Sequence, residues 1–288
     1  MANKTLIGCI FLILSSCKTV ENSQLKTDFA FSRSNGEVSF LNAHQLTFLS
    51  ELAYEDEGQV KSFADSFEFE LDHVEDVGGT FYYIISNEDI IVLAFRGTEN
   101  NLIDFWTDFK FFHKKITRGS VHCGFCKSYS IVKDKIREVV ATLYKEKPRE
   151  LYITGHSLGG ALGNIAALDL TLYMKQFDPK FAITGLYTFG TPRVFDKEGV
   201  QFLDQNVTEH YRFIFGNDKV VQVPWVLQNY FHGGHAIRFQ RSDCKLLGER
   251  KKLGPILRTL RNARDFWRPS GFEDHRLRNY RDCFIKNY

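Results

Sequence analysis

Ser157 stands at the centre of "GHSLG", residues 155 to 159, with a glycine two positions away on either side. A serine hydroxyl is a poor nucleophile at neutral pH. It needs an adjacent base, and the base needs an acid that orients it. The chain holds nine histidines. His156 is the nearest in sequence, but neighbouring side chains diverge on a sharp turn. It is therefore expected to point away from Oγ and to pack or hydrogen-bond beneath the turn. His122 and His210 precede Asp218, against the order serine, acid, histidine, which leaves His232, His235 and His275 as bases that the fold would have to bring in. Asp196, Asp204 and Asp218 follow the serine as carboxylates, the last in "GND", a good turn-forming sequence. The charge that develops on a carbonyl oxygen under attack would need N–H donors aimed at it.

The elements around these residues are legible as patterns. "ELYITG" before the serine is a short, apolar strand, and "LGGALGNIAALDLTLYMK" after it reads as a helix. A strand entering and a helix leaving a G-x-S-x-G turn raise the serine above the sheet. Gly155 and Gly159 leave room where strand and helix nearly touch. The nitrogen of Leu158 opens the helix, where N–H groups have no intrahelical partner. "AHQLTFLSELAYED" has helical spacing, "TFYYIIS" and "DIIVLAFRG" read as paired strands, and "VKDKIREVVATLYKE" reads as an amphipathic helix ending before Pro148. "GLYTFGTP", "HYRFIFG" and the shorter "AIRF" are further strands. Alternating strands and helices predict an α/β protein with a largely parallel, mixed central sheet flanked by helices.

At this level of detail the chain resembles the class 3 (fungal-type) triacylglycerol lipases, which have the α/β-hydrolase fold. "VLAFRGTE" is similar to the family's strand and oxyanion loop, and "DFWTDF" to its W-x-x-D lid segment, with Trp106 and Asp108 slightly closer together than in many members. "VHCGF" matches the H-x-G-F motif at His122, Gly124 and Phe125. "ITGHSLGGALGNIAAL" matches the elbow and helix, "YTFGTPRV" the next strand and loop, and "GNDKVVQVP" the acid loop. These motifs lie in the family's order, over roughly residues 80 to 280. The stretch from about 241 to 270 matches nothing recognisable.

The resemblance implies a Ser-Asp-His triad in the chain order of α/β-hydrolases. Ser157 is the nucleophile and Asp218 the acid. "EDHRLRNY", with Asp274, His275 and Tyr280, is similar to the family's D-H-x-x-x-Y signature, whose histidine is the base; His275 is thus the expected base and His235 the next choice. His232 fits a histidine of the preceding H-x-G-x-E-I segment, with Ala236 where an acidic residue is common. Leu158 and Thr98 are the expected oxyanion donors. Residues 102 to 112 carry Phe105, Trp106 and Phe109 among other large apolar groups, and are expected to form a lid that binds substrate. The activity implied is hydrolysis of lipid carboxylic esters through an acyl-enzyme, with no metal or organic cofactor. A phospholipase A1 or an acyltransferase would use the same triad. A surface lipoprotein that kept the fold without catalysis is the alternative of another class.

Composition bounds the remaining questions. A chain of 288 residues that is 43% hydrophobic can bury one sizeable core. A net charge of +2 gives no global field for nucleic acid, so none is expected as a partner. Lys4 followed by the apolar run Leu6 to Leu14 resembles an export signal, and "LSSC" resembles the lipobox that ends at the lipid-bearing cysteine of bacterial lipoproteins, here Cys17. The expected organisation is a signal at 1–16, a lipid-anchored or flexible tether at 17–38 and a hydrolase domain at 39–288, in the cell envelope or secreted. Cys123, Cys126, Cys244 and Cys283 then remain, and sequence does not choose among their three complete pairings. Residues 238 to 268 hold ten Lys/Arg against three Asp/Glu, a local net of +7. "PILRTLRNARDFW" within them is an amphipathic pattern suited to a solvated helix face or an anionic membrane surface. The oligomeric state is not readable.

Overall fold

In a computed structural model the described residues are 29, 31–32, 37–98, 112–247 and 270–287. The expected signal and most of the expected tether, the segment with Phe105, Trp106 and Phe109, and most of the basic stretch lie outside them. The chain divides into Met1–Phe31 and Ser32–Tyr288, and the described helices and strands all belong to the second unit.

Helix α1 (Phe40–Leu52) starts at Ser39, whose side chain accepts from the Asn42 amide. Then come α2 (Glu57–Ser66), β1 (Glu70–Val77), β2 (Thr80–Ser86) and β3 (Ile90–Phe95). A small hairpin, β4 (His113–Lys115) and β5 (Ser120–His122), leads into the long α3 (Cys123–Glu146). The following elements are β6 (Glu150–His156), α4 (Leu158–Met174), β7 (Ile183–Phe189), α5 (Lys197–Asn206) and β8 (Val207–Phe215). Beyond them lie β9 (His235–Phe239), β10 (Leu246–Leu247), the short α6 (Ser270–Glu273) and α7 (Leu277–Asn287).

Eight strands form one sheet in the order β1-β2-β3-β6-β7-β8-β9-β10. The pairs from β3 to β9 are parallel, and antiparallel strands finish both edges. This is the largely parallel, mixed sheet that the sequence predicts. Strands β2 and β3 are buried along their whole length, as central strands covered on both faces must be. Side chains alternate between the two layers. Ile91, Leu93 and Phe95 join Leu151 and Ile153 in the core formed with α3 and α4. Tyr83 and Thr154 face the other way, where the Tyr83 hydroxyl donates to the Leu49 carbonyl of α1 and Thr154 bonds the Ser50 hydroxyl at 2.8 Å. On that side α7 packs against α1.

Because β3, β6, β7 and β8 run parallel, their carboxyl ends share one edge of the sheet, where sites of α/β proteins assemble. Thr98, Ser157 and Asp218 each follow such an end. His275 is different: it lies in the short link between α6 and α7. Its placement therefore depends on how α7 docks. Phe284 of α7 inserts its ring among Phe213, Phe239 and Phe189, at 5.0, 5.3 and 6.0 Å between centroids. A disulfide joins Cys283 of α7 to Cys244, and Asn287 donates to the Cys244 carbonyl at 3.0 Å. Of the four cysteines considered for pairing, Cys123 and Cys126 stay free, both in the first turn of α3.

The disulfide closes a loop with a sequence separation of 39 residues. Replacing Cys244 and Cys283 together by serine is expected to lower stability by about 4 kcal/mol, the loop-entropy value for that length. Urea unfolding of the oxidised wild type beside the double variant measures it; equal midpoints would show that α7 docks without the bond.

Candidate active site

Ser157 occupies the turn between β6 and α4 at φ 58° and ψ −125°, a backbone conformation that non-glycine residues rarely adopt. The surroundings over-determine it. A Cβ on Gly159 would overlap the Phe95 carbonyl of β3, and a Cβ on Gly155 would overlap Gly159. A Cβ on Gly97 would come within 2.6 Å of the His156 carbonyl and 3.1 Å of Ser157 Cβ. Only glycine lets the exit of β3 press this closely against the elbow, and that brings Thr98 to the same edge.

Asp218 and His275 meet as a buried pair. His275 Nδ1 lies 2.8 Å from Asp218 Oδ2, with the two side chains 1% and 0% exposed. A carboxylate accepts from an imidazole N–H, so Nδ1 is the donor of this bond. Three further contacts fix the acid: its Oδ1 accepts from the Val220 amide at 2.8 Å, its Oδ2 accepts from the Tyr280 hydroxyl, and its own amide bonds Phe215 O. Burial first, and the negative Asp218 next, hold the Tyr280 hydroxyl well above its ordinary pKa, so it remains a donor.

Among the described residues, the buried atoms Ser157 Oγ, His275 Nε2 and Thr98 Oγ1 at this edge have no hydrogen-bond partner. A buried donor or acceptor without a partner costs about 1–3 kcal/mol, so such groups call for an explanation. The serine and histidine atoms are thus not bonded to each other in this structure, a separation common in unliganded sites. Leu158 is the first residue of α4, and its N–H has no acceptor within the helix.

The other candidate histidines are engaged elsewhere. His122 caps α3 by accepting from the Phe125 amide, and His210 pairs with Asp204 at 2.9 Å. His232 bonds the Val221 carbonyl at 2.8 Å. His235, the second choice for the base, is exposed at the start of β9. His156 turns beneath the elbow as its neighbours require, and it bonds Tyr54 and the His275 carbonyl. Sequence reasoning misses Tyr54 and gives Asp274 no role beyond its place in the D-H-x-x-x-Y signature. Tyr54 just past α1 gives no local signal. Asp274, buried beside His275, accepts from the Asn217 amide at 2.9 Å and so grips the acid loop. Arg241 holds the other oxygen of Asp274 at 3.0 Å. The lid and substrate residues Phe105, Trp106 and Phe109 lie outside the described residues, and so does the expected basic helix.

Comparison with known proteins finds a family that part of this chain resembles. The model for lipase (class 3) matches residues 92–228. A secreted mono- and diacylglycerol lipase 1 of Fusarium solani is 32% identical over 146 residues, covering 49% of this chain and 41% of that protein. A lipase of Rhizomucor miehei is 30% identical over 151 residues, covering 51% of this chain and 41% of that protein. The chain therefore spans about two fifths of the length of these relatives. Among solved structures, a mutant form of MDLA from Penicillium cyclopium superposes with a TM-score of 0.64 at 22% identity, covering 83% of this chain and 96% of that one. The native Rhizomucor miehei lipase propeptide complex superposes at 0.61 and 20% identity, covering 75% and 79%. These superpositions establish the α/β-hydrolase fold.

Burial sets a pH window for stability. It is the first cause that keeps the imidazoles of His122, His156 and His210 below their ordinary pKa, His122 at about 4 against 6.5. Unfolded histidines take up protons near 6.5 while the folded ones resist, so the unfolded state binds more protons below that pH. Stability is expected to be full above about 6.5 and to fall as pH drops, for His122 through the window down to about 4. Urea midpoints at pH 7 and pH 5 measure this, and His122→Asn, which can still cap α3, should shrink the difference. A midpoint that ignores pH in the wild type would contradict it.

Proposed function

We propose that this chain belongs to the class 3 lipase family and is an exported serine hydrolase that cleaves carboxylic esters of lipids. The observation that carries the reading is the buried Asp218–His275 pair at 2.8 Å, on the sheet edge that also holds the Ser157 elbow. Ser157 Oγ attacks the ester carbonyl carbon as its proton passes to His275 Nε2. Asp218 holds the imidazole in the tautomer that can accept this proton and stabilises the cation that forms. The Leu158 N–H, with the Thr98 N–H and hydroxyl, receives the oxyanion. Collapse expels the alcohol, which takes the proton from His275. Water activated by the same base then releases the fatty acid from the acyl-enzyme.

Lipid esters as substrates are supported by the family and by the named activities of its relatives. Export is supported by the apolar run before Cys17, by the word "secreted" in the Fusarium relative's name and by a disulfide that persists in oxidising compartments. Lipid attachment at Cys17 and action at a lipid surface complete the proposal. Incorporation of labelled palmitate that survives Cys17→Ala would remove the anchor.

A fluorophosphonate probe is expected to label the wild type and not Ser157→Ala, and ester cleavage should vanish with the label. An unlabelled wild type would sink the hydrolase reading in favour of a binding protein on the same fold. A panel spanning acyl length and head group, run with and without an acceptor alcohol, separates lipase from phospholipase A1 and acyltransferase. Thr98→Val keeps the shape and the backbone donor while removing the hydroxyl, and kcat should fall about tenfold, less than the loss of a whole oxyanion donor. An undiminished rate would take the hydroxyl out of the scheme.

A further inference from the structure

His156 is wedged between the two reacting residues and uses both ring nitrogens. Nε2 lies 2.7 Å from the main-chain carbonyl of His275, and Nδ1 lies 2.8 Å from the Tyr54 hydroxyl. A carbonyl only accepts, so Nε2 carries the proton. Nδ1 is then the acceptor, and the Tyr54 hydroxyl donates to it. The two contacts fix the tautomer from both sides, and turning the ring over would lose both. The ring is 6% exposed and stacks at a tilt on the His275 ring, 4.5 Å between centroids.

We infer that His156 is a positioning residue that ties the backbone of His275 to the elbow, so that one imidazole holds the nucleophile and the base in register. The contact stands on the structure itself; what the register serves rests on the hydrolase reading above. His156 precedes Ser157 directly, so any displacement of its ring is transmitted to the elbow. His275 belongs to a short link that has no strand to hold it. Asp218 grips its side chain and His156 grips its main chain. Without the second grip the imidazole could pivot about Nδ1, and Nε2 would swing away from Ser157 Oγ. Tyr54 extends the tie to the end of α1, at a separation of 102 residues.

The chemistry also demands that this tie carry no charge. His275 becomes a cation when it takes the serine proton, and a second cation 4.5 Å away would oppose that step. Burial first, and the neighbouring His275 next, hold the His156 pKa well below its ordinary value. The ring therefore donates a hydrogen bond without competing for the proton.

The test compares two amides in the full chain. The terminal amide of His156→Gln can reach the place of Nε2 and donate to the His275 carbonyl. That of His156→Asn is shorter and reaches only toward Tyr54. The asparagine variant should lower kcat about a hundredfold with KM held within about twofold, and the glutamine variant should return kcat to within about fivefold of wild type. A second readout needs no activity: the low-field proton resonance of the His275–Asp218 hydrogen bond, identified by its loss in Asp218→Asn. It should shift or broaden in His156→Asn and return in His156→Gln. If the wild type cleaves no ester, the hydrolase reading fails and the resonance alone decides this inference. Unfolding midpoints are measured alongside. An asparagine variant with an unmoved resonance overturns the inference. So does an equal loss in both variants, or a loss that merely follows the midpoint.

Discussion

The hydrogen bond between His275 Nδ1 and Asp218 Oδ2 is the constraint from which the rest of the site follows. A carboxylate at 0% exposure must have its lone pairs satisfied, since an unpaired buried charge is strongly destabilising. The Val220 amide, the Tyr280 hydroxyl and the imidazole N–H do this together. Each donor comes from a different place: the acid loop itself, helix α7, and the link before α7. The acid thus recruits the carboxyl-terminal helix as a structural necessity. The same low-dielectric surroundings that make the pair demanding also strengthen it once formed.

That demand explains why α7 is fastened so heavily. Phe284 fills a pocket of aromatic rings, Cys283 is bonded to Cys244, and Arg281 reaches Glu51 of α1 at 2.7 Å. On the opposite side of the elbow, the strained Ser157 backbone is held by close packing of glycines between β3, β6 and α4. Packing stores the conformation of Ser157, and hydrogen bonds store that of His275. The His156 ring is where the two systems touch.

How much of this is readable from sequence depends on how local each signal is. The elbow is legible because a turn that tight requires glycines at fixed offsets, and the buried parallel strands because they are continuously apolar. Strand β1, "ELDHVEDV", escapes notice: it is an edge strand that mixes charges with apolar residues and shows no clean alternation. His275 is reached only through a resemblance, since nothing within its own segment distinguishes a base from a surface histidine. That His156 turns away from the serine hydroxyl follows from the turn, yet its hold on the His275 carbonyl is invisible in sequence. The partner in that contact is a main-chain oxygen, which carries no side-chain signature. Tyr54, and the contacts though not the identity of Asp274, escape for a similar reason, because they arise from tertiary packing. The cysteine pairing requires knowing that α7 lies beside the β9 edge.

The disulfide has a consequence of another kind. It fastens the chain at Cys244, just after β9, to Cys283 within α7. The ring that it closes contains Asp274, His275 and Tyr280. Closing the ring in the unfolded chain thus already keeps His275 within reach of the end of β9. The segment that carries His275 is therefore tied to the sheet by a covalent bond, whereas the Ser157 turn is held by close packing.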